Sequence, residues 1–210
     1  MKIVAVVPIK TNNERLPGKN TMILGGRPLI HYVLDLLLSE KRISERYIYC
    51  SDSRIIRFLP ERITFLERSG KLDQNDANFS QIFESFMEKV DADIYIYAHA
   101  TAPFITMESF RDCLEHVVSG TNDSAFTATR IQEFLWKDGV ALNFDPNNIP
   151  RSQDLEPIYR ETSGIYVFRK EVFEAHHRRI GEHPYIREVS YREAVDINVR
   201  GDFELAERLL

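Results

Sequence analysis

Three cations, Lys10, Arg15 and Lys19, stand five and four residues apart within Pro8-Ile9-Lys10-Thr11-Asn12-Asn13-Glu14-Arg15-Leu16-Pro17-Gly18-Lys19-Asn20. Gly18 and the neighbouring Asx residues permit tight backbone turns that can aim N–H groups at an anion. A triphosphate carries about four negative charges, and holding one while a phosphorus centre is attacked calls for several cations and donors in one place. This loop meets that requirement. The same composition also suits a solvated basic turn, and position is what separates the two readings. The loop directly follows the apolar run from Ile3 to Val7, and open α/β sheets bind ligands in the crevice beyond the carboxyl ends of their strands.

The elements that must position those side chains are legible as alternation. At 210 residues, 43% hydrophobic and 28% charged, the chain can bury one sizeable core, so a single domain spanning 1–210 is expected and disorder is not. Short apolar runs alternate with stretches of helical period over the first 130 or so residues, the pattern of a parallel sheet with crossover helices. Strands are expected at Ile3–Val7, Tyr47–Cys50, Ile63–Leu66, Asp93–Ala98, Ser163–Phe168 and Ala194–Ile197. Helices are expected after Pro28, a good first-turn residue, after the capping run Ser51-Asp52-Ser53, from Asn78 to Val90, from Thr106 to Val118, and from Asp202 to Leu210 with its aspartate as cap.

Between about 130 and 162 the pattern breaks. Phe134, Trp136 and Phe144 are interleaved with polar residues and followed by the turn-rich Asn143–Pro150, which reads as an excursion from the main sheet. The net charge of -5 argues against a broad basic face for nucleic acid, so any phosphate site is expected to be local. Cys50 and Cys113 have no metal-ligand spacing and read as buried free thiols. The apolar N-terminal run is too short for a signal segment or a membrane span, which points to a cytoplasmic protein with no membrane partner.

The first loop resembles the signature loop of the acylneuraminate cytidylyltransferase family, which includes the CMP-sialic acid synthetases and reads approximately Pro-Ala-Arg-x-x-Ser-Lys-x-Leu-Pro-x-Lys-Asn. Pro8, Leu16, Pro17, Lys19 and Asn20 match, and Lys10 replaces the arginine. Arg15 to Lys19 reproduces the Arg-Leu-Pro-Gly-Lys element of the related CMP-Kdo synthetases. The likeness continues through Gly25-Gly26-Arg27-Pro28-Leu29-Ile30, Cys50-Ser51-Asp52-Ser53, Pro150-Arg151-Ser152-Gln153-Asp154-Leu155 and Glu161-Thr162-Ser163-Gly164-Ile165-Tyr166, in order along nearly the whole chain. It implies a Rossmann-like α/β fold of three layers with an open, mostly parallel sheet, of the nucleotide-diphospho-sugar transferase type.

By this resemblance Lys10, Asn12, Arg15, Lys19 and Asn20 would bind the nucleotide phosphates, with Lys10, Arg15, Lys19 and Asp196 as the catalytic set. Ser51 and Asp52 would lie near the cytidine, a role compatible with capping a helix. His99 and Thr101, following the strand that ends at Ala98, would face the sugar, although a histidine at a strand end also has plain structural uses. Arg151, Gln153 and Tyr159 would contribute to the sugar pocket from the excursion, in part across a homodimer, where Arg151 suits a carboxylate because its planar fork can bond both oxygens. For Trp136 dimer packing is preferred over ligand stacking. The family's Asp-x-Asp, which binds magnesium, becomes Asp196-Ile197-Asn198, so an uncharged amide stands where a second carboxylate is expected and metal affinity should fall.

The function implied is transfer of a cytidylyl group from CTP to an acidic 2-keto sugar such as an N-acylneuraminate, with Mg2+ as cofactor. Glu14, Asn198 and Ser163 depart from the sialic acid pattern and leave open Kdo, legionaminate or pseudaminate, or a nucleotide-binding homologue of weakened catalysis. A relative of the same fold using another nucleotide and a sugar phosphate is a third alternative.

Overall fold

The computed structural model describes residues 1–74 and 76–210. In chain order its strands are β1 (Ile3–Ile9), β2 (Ile23–Leu24), β3 (Arg27–Pro28), β4 (Glu45–Cys50), β5 (Thr64–Glu67), β6 (Ile94–Ala98), β7 (Ser124–Ile131), β8 (Trp136–Lys137), β9 (Val140–Ala141), β10 (Ile158–Arg169) and β11 (Pro184–Glu188). The α-helices are α1 (Ile30–Ser39), α2 (Phe79–Met87), α3 (Met107–Val118), α4 (Lys170–His176) and α5 (Arg200–Arg208).

Seven strands form one open sheet in the order β11-β7-β10-β6-β1-β4-β5. All neighbours are parallel except that β10 runs antiparallel to both β6 and β7. Successive side chains of a strand face opposite sides, and β1 shows what that does to a strand buried on both faces. Ile3, Ala5, Val7 and Ile9 pack with α1 and α3, whereas Val4 and Val6 pack with Phe83 and Phe86 of α2 and Phe173 of α4. Helices on both faces of a largely parallel sheet make a three-layer α/β architecture, with the parallel sheet that the alternation of elements implied and the three layers that the family resemblance implied. Asn78 starts α2 with a reciprocal capping box to Gln81.

Three expectations are corrected. Pro28 closes β3 rather than opening a helix: Gly25 and Gly26, both with positive φ, make the two-residue turn of the β2–β3 hairpin. Ala194–Ile197 is not a strand, because the Ile197 N–H is taken by the Thr101 carbonyl at 2.8 Å instead of a ladder. The edge strand is β11, paired along β7. Asp202 is the third residue of α5, not its cap, and its carboxylate reaches back to the N–H groups of Asn198 and Val199 at 2.8 and 2.9 Å.

The excursion is built on β7 and β10, which continue their pairing out to Ile131 and Ile158 across a register shift between Glu161 and Tyr166. Since Ile165 pairs with Ala98 at the carboxyl end of β6, this two-stranded ribbon leaves the sheet beside the crevice. The small β8–β9 hairpin sits at its end.

Candidate active site

The loop after β1 is tied down before it reaches anything chemical. Asn20 is buried, and its Nδ2 donates to the Lys10 carbonyl at 3.1 Å, closing the loop on itself. Leu16 drops into a small apolar cluster with Leu29, Phe104, Ile197 and Phe203. Gly18 has φ 68° and leads the 3-10 turn Lys19–Thr21; a Cβ there would meet nothing within 4 Å, so the need for glycine lies in the left-handed backbone and not in space.

That anchoring brings the loop against the segment before α5. Lys19 Nζ donates to the Ile197 carbonyl at 2.9 Å and to Asn198 Oδ1 at 3.2 Å, and Arg15 Nη2 donates to the same oxygen at 3.2 Å. Asn198 Nδ2 in turn donates to Asp196 Oδ2 at 2.7 Å. Burial lowers the Lys19 pKa from that of a free lysine; Asp196 and Asp202 oppose the shift and Arg15 adds to it. An anion brought against this ammonium would restore what burial removes.

Four cavities meet along the seam. The central one, about 260 Å³, is lined by Lys10, Asn13, Lys19, Asn20, His99, Thr101, Ser163, Asp196 and Asn198 among others. Through Lys10, Asn13, Lys19 and Asn198 it opens into a cavity of about 290 Å³ that adds Asn12, Glu14 and Arg15. Through Asn13 and Asn20 it meets one of about 180 Å³ bounded by Thr11, Asp52, Arg54, Arg57 and Phe58. On the other side, Ser163 and Asp196 join it to a cavity of about 470 Å³ walled by Arg160, Glu161, Tyr191, Asp202 and Leu205.

Three buried side-chain atoms of residues lining the central cavity, Asn13 Oδ1, His99 Nε2 and Asp196 Oδ1, find no hydrogen-bond partner among the described residues. Buried polar atoms are ordinarily paired with protein, water or ligand, so this convergence marks a place suited to receive a polar ligand. The His99 ring lies edge-on to Tyr97 and Tyr166, at 5.2 and 6.1 Å between centroids. Burial pushes its pKa down to about 4, with nearby Arg179 acting in the same direction, so the imidazole is neutral at physiological pH. Arg179 lies 3.6 Å over the Tyr166 ring and pairs with Glu161 at 2.9 Å.

Asp52 caps the 3-10 turn Ser53–Phe58 and forks onto Arg54 at 2.7 to 3.0 Å, which holds its carboxyl well below the usual range. Ser51 turns away from the cavities toward Asp73. Asp73 also receives Arg68, a buried arginine whose Nη2 donates to the Ile9 carbonyl at 2.9 Å and whose backbone N–H reaches the Cys50 carbonyl at 3.0 Å. Arg68 thus ties the carboxyl ends of β1, β4 and β5 together. Sequence reading did not single it out, since nothing in Glu67-Arg68-Ser69 distinguishes a buried arginine from a solvated one. Asn13 was likewise passed over for Asn12, although Asn13 borders three of the four cavities; only the path of the loop separates two adjacent asparagines.

Arg151, Gln153 and Tyr159 are not brought to the seam. Arg151 is exposed and paired with Asp154 at 2.7 and 3.1 Å, Gln153 is exposed in the 3-10 turn Ser152–Asp154, and Tyr159 is 38% exposed on the ribbon. None of the three borders the four cavities, although Arg160 and Glu161, next to Tyr159 on the ribbon, line the largest of them. As for a metal, Asn198 Oδ1 faces two cations and is ill suited to a third, whereas Asp196 Oδ1 is a hard, buried oxygen with nothing bound to it among the described residues. No group of three or more His, Cys, Asp or Glu side chains among the described residues could hold a metal by itself. The residues therefore fit magnesium only as an ion shared with a ligand's phosphates, the arrangement that magnesium commonly adopts.

Comparison with known proteins gives a concordant picture. A family model described as Cytidylyltransferase matches residues 4–209. An N-acylneuraminate cytidylyltransferase of Streptococcus agalactiae serotype V is 22% identical over 97% of this chain and 52% of its own length. A 3-deoxy-manno-octulosonate cytidylyltransferase of Escherichia coli is 24% identical over 82% of this chain and 74% of its own. The chain thus spans about half the length of the first of these relatives. Among solved structures, a CMP:2-keto-3-deoxy-manno-octonic acid synthetase complexed with CTP superposes with a TM-score of 0.73 at 18% identity, covering 100% of this chain and 98% of that one, which shows a shared fold. No helix among the described residues is long and apolar enough to cross a membrane.

Proposed function

Because the chain belongs to the cytidylyltransferase family, we propose that it transfers the cytidylyl group of CTP to a hydroxyl of an acidic 2-keto sugar, releasing pyrophosphate. The observation that carries this reading is the central cavity, where Lys10 and Lys19 face Asn13, His99 and Asp196 at the carboxyl ends of β1 and β6. One wall suits phosphate oxygens. The other presents acceptors to the hydroxyls of a second substrate.

In this arrangement the base and ribose of CTP lie toward Asp52 and Phe58, the phosphates over Lys10, Arg15 and Lys19, and the sugar over His99, Thr101 and Ser163. The sugar hydroxyl oxygen forms a bond to the α-phosphorus, the bond from that phosphorus to the bridging oxygen breaks in line, and pyrophosphate departs with the electron pair. Positioning and charge stabilisation supply most of the acceleration of such a step. His99 Nε2, neutral and buried at the cavity, accepts the hydrogen bond of the attacking hydroxyl; a pKa of about 4 suits holding that proton in a bond while solvent receives it. Asp196 would hold the magnesium ion that accompanies the nucleotide and that, when bound, neutralises charge on the phosphates.

The relatives act on different sugar acids, as their names state, and 22 to 24% identity supports no choice among them. We take an N-acylneuraminate as the first candidate, with Kdo, legionaminate and pseudaminate as the rivals, in a cytoplasmic enzyme. The excursion exposes Trp136, Val140, Leu142 and Ile149, each more than half exposed, and a homodimer covering them is part of the proposal, with Arg151, Gln153 and Tyr159 reaching the partner's site.

Pyrophosphate release from CTP, measured with each of the four sugar acids, tests the reading. Release with one sugar far above the rest names the substrate. CTP binding with no release on any of them would leave a nucleotide-binding homologue, and thermal stabilisation by UTP, GTP or ATP in place of CTP would overturn the choice of nucleotide.

A further inference from the structure

Asn198 joins the two halves of the site, and its side chain is held through both its oxygen and its nitrogen. Its Oδ1 accepts from Lys19 Nζ and Arg15 Nη2, both at 3.2 Å, and its Nδ2 donates to Asp196 Oδ2 at 2.7 Å. Its backbone N–H is held by Asp202 Oδ2 at 2.8 Å, so the residue is fixed from the α5 side as well. Two cations drawn to one place repel each other unless a negative dipole lies between them. The carboxamide oxygen is that dipole. It keeps Lys19 and Arg15 side by side on the wall of a cavity that Lys10 also lines.

We propose that Asn198 is a positioning residue that preassembles the Lys19–Arg15 pair, so that this chain grips the triphosphate of CTP without a divalent metal, a metal adding to binding through Asp196 alone. This rests on the nucleotide reading above. The chemistry follows from the charge of the group at position 198. A neutral acceptor orders the two cations and leaves their charge available to phosphate oxygens. A carboxylate there would cancel part of that charge and would set two anions against each other where Asn198 Nδ2 now meets Asp196 Oδ2. A divalent cation would then be needed to relieve both faults. An alanine would order nothing and would attract no metal either.

Calorimetric titration with CTP of the wild-type chain, Asn198→Asp and Asn198→Ala, each with EDTA and with Mg2+, separates these cases, and melting temperatures show that each variant is folded. Removal of metal should raise the wild-type Kd by no more than about tenfold, and Asn198→Ala should bind about tenfold more weakly than wild type under both conditions, the loss expected from one charge-assisted hydrogen-bonding acceptor. Asn198→Asp should lose about 100-fold or more on removal of metal, because the one added negative charge then faces both Asp196 and the phosphates unrelieved. The proposal is overturned if wild type binds CTP with Mg2+ but not with EDTA, if Asn198→Ala keeps wild-type affinity in EDTA, or if Asn198→Asp shows the wild-type dependence on metal. Should Asn198→Asp fail to fold, wild type and Asn198→Ala decide the matter. Absence of CTP binding even with Mg2+ would instead remove the nucleotide reading itself.

Discussion

His99 links the burial of the site to a measurable pH dependence. Its imidazole is pushed down to about 4 from 6.5 by burial first and then by Arg179. Over that interval the unfolded chain binds a proton at residue 99 that the folded chain does not. Stability rises with pH wherever the unfolded state holds more protons, so His99 costs almost nothing above pH 7.5 or so and destabilises the fold progressively as pH falls from about 6.5 toward 4. Integrated from pH 7.5 to 4.5, the two values give a loss of about 2.5 kcal/mol. Glutamine keeps a hydrogen-bonding side chain but does not titrate. The stability of His99→Gln relative to wild type should therefore climb by that amount across the interval, read by urea denaturation at four pH values with all other titrating groups common to both proteins. A difference that stays flat within about 0.5 kcal/mol, near the precision of such extrapolations, refutes the reasoning. It would mean that solvent reaches Nε2 and restores the ordinary pKa.

Replacing Lys19 with methionine removes the cation that bonds Ile197 and Asn198, and should raise the Kd for CTP by about 10- to 100-fold in calorimetric titration; a change below about twofold contradicts its assignment to the phosphates. Gly18→Ala forces a side chain into φ 68° and should cost roughly 1–2 kcal/mol in chemical denaturation, and an unchanged stability would show that the turn does not need that conformation. Arg68→Met removes a buried guanidinium and strips the half-buried Asp73 of its cation, and should destabilise by about 3 kcal/mol, with part of the loss recovered when Asp73→Asn is added. Failure of the second change to recover anything would place the cost in packing rather than charge.

Much of the fold lay in local pattern. The continuous apolar run of β1, the helical stripe of Phe79, Phe83 and Phe86, and the caps at Asn78 and Thr106 are each written within a short stretch of chain, so those elements follow from local pattern, whereas β7, α4 and β11 were not expected from it. The errors fall where local signal and tertiary demand part company. Val195 and Ile197 look like a strand because they are apolar, yet both belong to the small cluster around Leu16, Phe104 and Phe203, and the Ile197 N–H goes to Thr101. Arg187 interrupts the apolar character of β11, an edge strand in which it pairs with Asp112 and Glu108 across to α3, and this hid the strand from a reading based on apolar runs.

The sequence by itself determined the class of fold and the chemical character of the first loop, because residue type, spacing and the turn chemistry of Gly18 are properties of neighbours along the chain. What only the tertiary structure decided is which side chains share a cavity. Lys19 meets Asn198, 179 positions on, His99 comes to lie with Asp196, and Asn13 faces inward while Asn12 is exposed. These meetings depend on how the strands order themselves in the sheet and on where a loop's apolar anchor lands, and both are settled by burial summed over the whole chain rather than by any segment of it.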